Sequence, residues 1–167
     1  MAKKQKQDRK QELAKRSAVE SLSVQVHFGL KRIGYGEGDA IHSQVGKEIE
    51  SIEELGLTQD ILQLKDLVGV VQEVLGAKPV PGKGDFHSSV VAVALGIASV
   101  SMLEDTSTPY NWQDQIDKKV LTMYYPDDHR NAVVECARAK GYTVSTYLGR
   151  PIVKFKRIYV RIERARE

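Results

Sequence analysis

Between residues 21 and 30 apolar and polar side chains alternate strictly, and this pattern restricts the local conformation more than any other in the chain. A period of two places successive side chains on opposite faces of a β-strand. The segment is therefore predicted to form an antiparallel strand with one face in the core and the other in water. Its core-facing side chains are expected to be Leu22, Val24, Val26, Phe28 and Leu30.

The C-terminal part of the chain has the pattern strand, helix, strand, strand. Apolar and β-branched residues predict strands at 120–125, 142–148 and 152–162. Pro126 suits the start of the helix and Gly141 its end. Gly149 and Arg150 are predicted to form the tight turn between the last two strands.

The middle of the chain has helical periodicity. Apolar residues recur every three to four positions over 45–55 and again over 61–75, where Gly76 ends the pattern. We expect these two segments to form a helical hairpin. The apolar run that follows Ser88 predicts a third, buried helix, and its β-branched residues leave a strand as the alternative.

These elements predict an α+β fold with a single domain over residues 21–167. It should contain a mostly antiparallel sheet of four or more strands with helices packed on it. A length of 167 residues is usual for one domain. Residues 1–20 form a basic arm that is helical or disordered. The arm has no apolar stripe before Leu13, so we expect it to be mobile unless a partner orders it.

Charge is distributed unevenly along the sequence. Residues 1–16 carry seven Lys or Arg and two acids, and residues 150–167 carry the same numbers, so each end has a charge of +5. Since the whole chain is only +3, the segment between them is acidic, at −7. Basic ends on an acidic body indicate an interaction with a charged partner rather than a requirement of folding.

The candidate binding surface lies on the last predicted strand. Phe155, Arg157, Tyr159 and Arg161 alternate onto one face, where aromatic rings can stack on bases and Arg can neutralise phosphates. The alternative is a solvated face on which Arg stems cover the rings. With the basic arm, the predicted nucleic-acid-binding residues are Lys3, Lys4, Lys6, Arg9, Lys10, Phe155, Arg157, Tyr159, Arg161 and Arg164.

A metal-dependent hydrolase acting on nucleic acid or nucleotides is a second interpretation. Acidic residues stand next to histidines in three places, and such groups could supply metal ligands: Asp39 with His42, Asp85 with His87, and Asp127 and Asp128 with His129. No recognised metal-binding spacing is present, so we predict no metal site and no cofactor, and the sequence identifies no catalytic residue. Glu48, Glu50, Glu53 and Glu54 are interpreted as a solvated helix face.

The leading interpretation is a small non-enzymatic protein that binds nucleic acid or a nucleoprotein assembly through its basic ends. A third interpretation is a protein-interaction factor that docks on an acidic protein surface. The single cysteine and the lack of an export signal or a long apolar span predict a cytoplasmic protein without a membrane partner. The size suits an accessory protein of a phage or another mobile element.

Overall fold

The computed structural model describes residues 2–34, 40–80, 84–86, 89–98, 110–126 and 129–165. Within these ranges there are six helices and four strands. Five helices precede the first strand, and the sixth lies between the first and second strands. In chain order they are α1 (Ala2–Arg32), α2 (Ala40–Glu54), α3 (Thr58–Leu75), α4 (Val90–Ala94), α5 (Trp112–Lys118), β1 (Val120–Pro126), α6 (Arg130–Ala139), β2 (Thr143–Tyr147), β3 (Arg150–Lys154) and β4 (Tyr159–Ala165).

The predicted strand at 22–30 is wrong, because this segment is part of the 31-residue helix α1. Leu22, Val26 and Leu30 are fully buried, whereas Val24 and Phe28 are each 68% exposed. The three buried residues are spaced by four, so the alternating pattern also contains a helical stripe. The preceding Lys, Gln, Glu and Ala residues favour helix, and α1 continues from them without a break.

Helix α1 also includes the predicted basic arm. Every residue from 3 to 17 is exposed, and burial begins at Ala18. Beyond Ala18 the helix packs against α2, α3 and α4. The arm is therefore a helical extension of a core helix, and its expected mobility stays a prediction.

The helices predicted in the middle of the chain are present, but α2 and α3 do not form the expected hairpin. Each of them packs against α1, while α2 also contacts α4 and α5, and α3 contacts α6. Gly76 ends α3 in the left-handed conformation, with φ of 66°. The short helix α4 is buried throughout, as its apolar sequence predicts.

The sheet comes entirely from the C-terminal part of the described chain, and its strand order is β1-β4-β3-β2. β1 and β4 are parallel, whereas β4 with β3 and β3 with β2 are antiparallel. The predicted fold class, α+β with a mostly antiparallel sheet, is confirmed. On the edge of β1 that does not pair with β4, two backbone N–H groups donate hydrogen bonds to the strand. The Val80 N–H donates to the Tyr124 oxygen, and the Asp85 N–H donates to the Thr122 oxygen.

The prediction of one strand over 152–162 is wrong. β3 ends at Lys154 and β4 begins at Tyr159, and between them the Phe155 N–H donates to the Ile158 oxygen across a tight turn. The β2–β3 turn is displaced by one residue from its predicted place. It consists of Leu148 and Gly149, both with positive φ, and Arg150 already pairs with Tyr147.

Candidate nucleic-acid interface

The sheet has a buried inner face and a partly exposed outer face. Along β4 the buried Val160 and Ile162 alternate with the partly exposed Tyr159, Arg161 and Glu163. Paired residues on adjacent strands share a face, so the register extends this division across the sheet. The aromatic and basic side chains of the outer face are Tyr124, Tyr147, Arg150, Lys154, Tyr159 and Arg161.

The inner face is occupied by α6. This helix packs against β2, β3 and β4, and its buried Val133, Val134 and Ala137 supply the apolar contact surface. A second helix in contact with the sheet, α5, lies beside β1. Most residues of the outer face are accordingly half-buried or exposed and remain within reach of a ligand.

Tyr159 begins β4 and lies at one end of the outer face, between the neighbouring strands β1 and β3. The Lys119 ammonium lies 5.7 Å from its ring centroid and the Lys154 ammonium 5.5 Å. Farther across the sheet, the Arg161 guanidinium lies 5.7 Å from the ring of Tyr147. The rings of Tyr159 and Tyr147 therefore each have at least one cation beside them. This combination of a planar apolar surface and positive charge suits a base and its phosphate.

Two further contacts shape this face. Arg150 and Glu163 form an ion pair with 3.2 Å between Nη1 and Oε2, which neutralises one basic side chain at the edge of the face. The Nε–H of Arg161 is buried and has no hydrogen-bond acceptor among the described residues. A buried donor without an acceptor is unfavourable, so the Arg161 Nε–H would gain from donating a hydrogen bond to a ligand oxygen.

The structure separates the four residues that were predicted to share one strand face. Tyr159 and Arg161 do share it, but Phe155 and Arg157 belong to the β3–β4 turn. Phe155 is only 6% exposed and packs on Tyr142, with 5.5 Å between ring centroids. Phe155 is thus a core residue and is removed from the predicted surface, because the turn directs its ring inward.

The remaining predicted residues are distributed over other surfaces. Arg157 is exposed at the turn, and Arg164 is exposed near the end of β4 but pairs in register with the inner-face residue Tyr125. The five arm residues Lys3, Lys4, Lys6, Arg9 and Lys10 are exposed along the first turns of α1. Three residues of the site were not predicted from the sequence, because their proximity to Tyr159 and Arg161 depends on strand register: Lys119, Lys154 and Tyr147.

Glu48 was assigned to a solvated helix face, and this is wrong. It is 3% exposed, and its carboxylate accepts hydrogen bonds from the Ser89 hydroxyl at 2.5 Å, the Val90 N–H at 2.8 Å and the Trp112 Nε1–H at 3.1 Å. Burial raises the pKa of Glu48, and these donors partly offset that effect. Since it joins α2, α4 and α5 inside the core, we interpret it as structural.

The residues proposed as metal ligands are only partly described. Asp39, His87, Asp127 and Asp128 lie outside the described residues, as does the side chain of His42. Asp85 accepts a hydrogen bond from the Thr122 N–H and pairs with Lys118, so its carboxylate is already used. In the part of the chain that the structure describes, no three His, Cys, Asp or Glu side chains form a cluster that could hold a metal ion. The hydrolase hypothesis stays a prediction.

No protein-family model matches the chain, and no curated protein shows significant similarity to it. Among the described helices, none combines the length and the apolar character that crossing a membrane requires.

Proposed function

We propose that this protein binds nucleic acid through the outer face of its sheet and the basic arm of α1. The observation that carries the proposal is the position of Tyr159 between Lys119 and Lys154, with both ammonium groups within 6 Å of the ring. A base stacked on Tyr159 would bring its flanking phosphates close to these two cations.

The rest of the outer face supports the same function. The buried Nε–H of Arg161 has no acceptor among the residues that the structure describes, and Tyr147 beside it is 45% exposed and offers a second ring. Four-stranded sheets with exposed aromatic and basic side chains are a recurrent platform for unpaired bases. Stacking needs an accessible base plane, so we expect single strands to be preferred over duplexes.

The basic arm would add attraction that does not depend on sequence. Its lysines and arginines are exposed along the helix. Each phosphate contact releases bound counterions, so affinity should fall steeply as salt is added. Deleting residues 1–16 should reduce this salt dependence and leave any preference for single strands unchanged.

The decisive experiment is a fluorescence anisotropy titration with labelled single-stranded and duplex oligonucleotides of DNA and RNA at low salt. Tyr159→Ala should weaken single-strand binding by about 1–3 kcal/mol and change duplex binding little, because only unpaired bases stack on the ring. The matched control is Tyr159→Phe, which keeps the ring and should bind like the wild type. Absence of binding to every oligonucleotide would refute the proposed function.

An acidic protein surface would be attracted to the same basic side chains, so the two kinds of partner need to be separated. The protein can be used to capture partners from a lysate, with and without nuclease treatment. If nucleic acid is the partner, the captured nucleic acid is lost after treatment and protein partners are lost with it. Proteins that remain bound after complete digestion would favour the protein-interaction hypothesis.

A further inference from the structure

The basic arm and the β3–β4 turn, which lie at opposite ends of the sequence, meet at one cleft. The cleft has a volume of about 460 Å³ and lies between α1, the connection from α2 to α3, and the turn. Lys15 contributes from α1, and Lys156 and Arg157 contribute from the turn. Glu53 and Glu54, at the end of α2, also line the cleft.

The backbone of the β3–β4 turn is held in place by hydrogen bonds to the buried carboxylate of Asp60. Asp60, in the first turn of α3, has no exposed surface, and its Oδ2 accepts hydrogen bonds from the Arg157 N–H at 2.7 Å and the Ile158 N–H at 3.0 Å. With its backbone fixed, the turn presents the side chains of Lys156 and Arg157 outward. Their position is therefore a property of the fold and not of a flexible tail.

The Arg157 side chain is positioned further by Gly56. A Cβ atom built on Gly56 would lie 3.2 Å from Nη1 of Arg157, so the guanidinium rests close to the glycine backbone. The φ of Gly56 is 71°, a conformation that other residues rarely adopt. A side chain at position 56 would therefore crowd the Arg157 guanidinium, which lies against the backbone of the connection between α2 and α3.

The three cations of the cleft have exposed side chains, and Lys156 is also attracted to the buried carboxylate of Asp60. Lys15, Lys156 and Arg157 are all exposed, and none of them forms an ion pair within the described part of the chain. Arg can bind a phosphate through two parallel hydrogen bonds, and Lys adds point charges around it. Because Glu53 and Glu54 reduce the net charge, a bound anion should lie on the Lys156 and Arg157 side.

We propose that this cleft is a phosphate-binding site for the backbone of the bound nucleic acid, where the arm meets the folded body. The inference rests on the proposed function and adds a specific contact to it. Lys154 and Tyr159, at either end of the same turn, belong to the outer face of the sheet. A strand stacked on Tyr159 can therefore continue over the turn to the cleft and from there to the basic arm.

The test is the slope of log affinity against log salt concentration for a single-stranded oligonucleotide. Arg157→Ala, and independently Arg157→Gln, should each reduce the magnitude of the slope by about 0.7, the contribution of one phosphate contact on a single strand. Arg157→Lys keeps the charge and should keep the slope. Lys140→Ala, an exposed cation outside the cleft, should leave it unchanged.

Tyr159→Ala makes the two proposals distinguishable within the same titrations. It should lower affinity without changing the slope, because stacking releases few counterions. If Arg157→Ala and Arg157→Gln both bind with wild-type affinity and an unchanged slope, the cleft is not a phosphate-binding site. This result would leave the proposed function of the sheet face standing. If the wild-type protein binds no oligonucleotide, both proposals are overturned together.

Discussion

A methyl group on the α-carbon of Gly29 would lie 2.0 Å from the carbonyl oxygen of Ala94, because α1 and α4 approach each other backbone to backbone at this point. Both residues are buried. The contact would be between a Cβ atom and a backbone oxygen, and neither atom can move aside as the end of a flexible side chain could. Any residue larger than glycine at position 29 must therefore push the two helices apart.

Gly29→Ala should accordingly lower the free energy of unfolding by about 3 kcal/mol, the upper part of the usual range for overpacking a core. Gly46→Ala is the matched control, since a Cβ there has open space in the middle of α2. It should raise stability by about 0.5–1 kcal/mol through the helix propensity of alanine. Urea denaturation of both variants measures the difference, and equal effects would contradict the close contact.

Asp60→Ala removes the acceptor of two backbone N–H groups at the β3–β4 turn. We expect a loss of about 1–3 kcal/mol in the free energy of unfolding, because buried donors are left without a partner. Asp66→Ala, at an exposed site on the same helix, should stay within about 0.5 kcal/mol of the wild type. If both variants unfold at the same denaturant concentration, Asp60 does not hold the turn.

The pH dependence of stability should report the burial of Glu48. Its pKa is raised in the folded state above the ordinary value of 4.5, so the folded protein takes up this proton at a higher pH than the unfolded chain. Ionised Glu48 is therefore less favourable in the folded protein than in the unfolded chain. The contribution of Glu48 to stability rises as pH falls through the raised folded-state pKa, and it is complete below 4.5.

Glu48→Gln, which cannot titrate, isolates this effect from that of other groups. The free energy of unfolding of the wild type relative to Glu48→Gln should increase as pH is lowered from 7 toward 4.5. Denaturant titrations at several pH values measure it. A relative stability that decreases over this interval would mean that the hydrogen bonds from Ser89, Val90 and Trp112 outweigh the cost of burial.

The β2–β3 turn offers a stabilising substitution. Leu148 has φ of 51° and is 79% exposed, so it occupies a left-handed conformation without burying its side chain. Leu148→Asn should raise the free energy of unfolding by about 1 kcal/mol, because Asn tolerates this conformation and Asn-Gly is the preferred sequence for such a turn. Leu148→Ala should bring no comparable gain, and equal stability of the two variants would argue against backbone strain at this position.

Local pattern predicted most of the C-terminal part of the fold, except for the turn that divides the predicted last strand into β3 and β4. Strands and a helix occur in the predicted order, and Gly141 and Gly149 lie at positive φ where the chain reverses. Short alternating segments bounded by glycines allow few other conformations. The amphipathic helices over 45–55 and 61–75 were equally evident, because each has one apolar stripe long enough to be unambiguous.

The same kind of pattern failed at 22–30, where Leu22, Val26 and Leu30 satisfy a strand and a helix equally well. What decides between them is outside the segment: a helix-favouring sequence before it and the backbone of α4 beside Gly29. The prediction that Phe155 lies on the exposed strand face was wrong for a related reason. A tight turn inside an apparently continuous strand reverses the direction of the side chains, and its residues carry no strong turn signal.

By itself, the sequence determined the fold class, most of the helices and strands, and the concentration of positive charge at the two ends, since these follow from local propensity and composition. Only the tertiary structure decided that Lys119 and Lys154 flank Tyr159, that Lys15 and Arg157 share a cleft, and that Glu48 is buried among three helices. These proximities depend on strand register and helix packing. Both are set by contacts between distant parts of the chain, which no local pattern records.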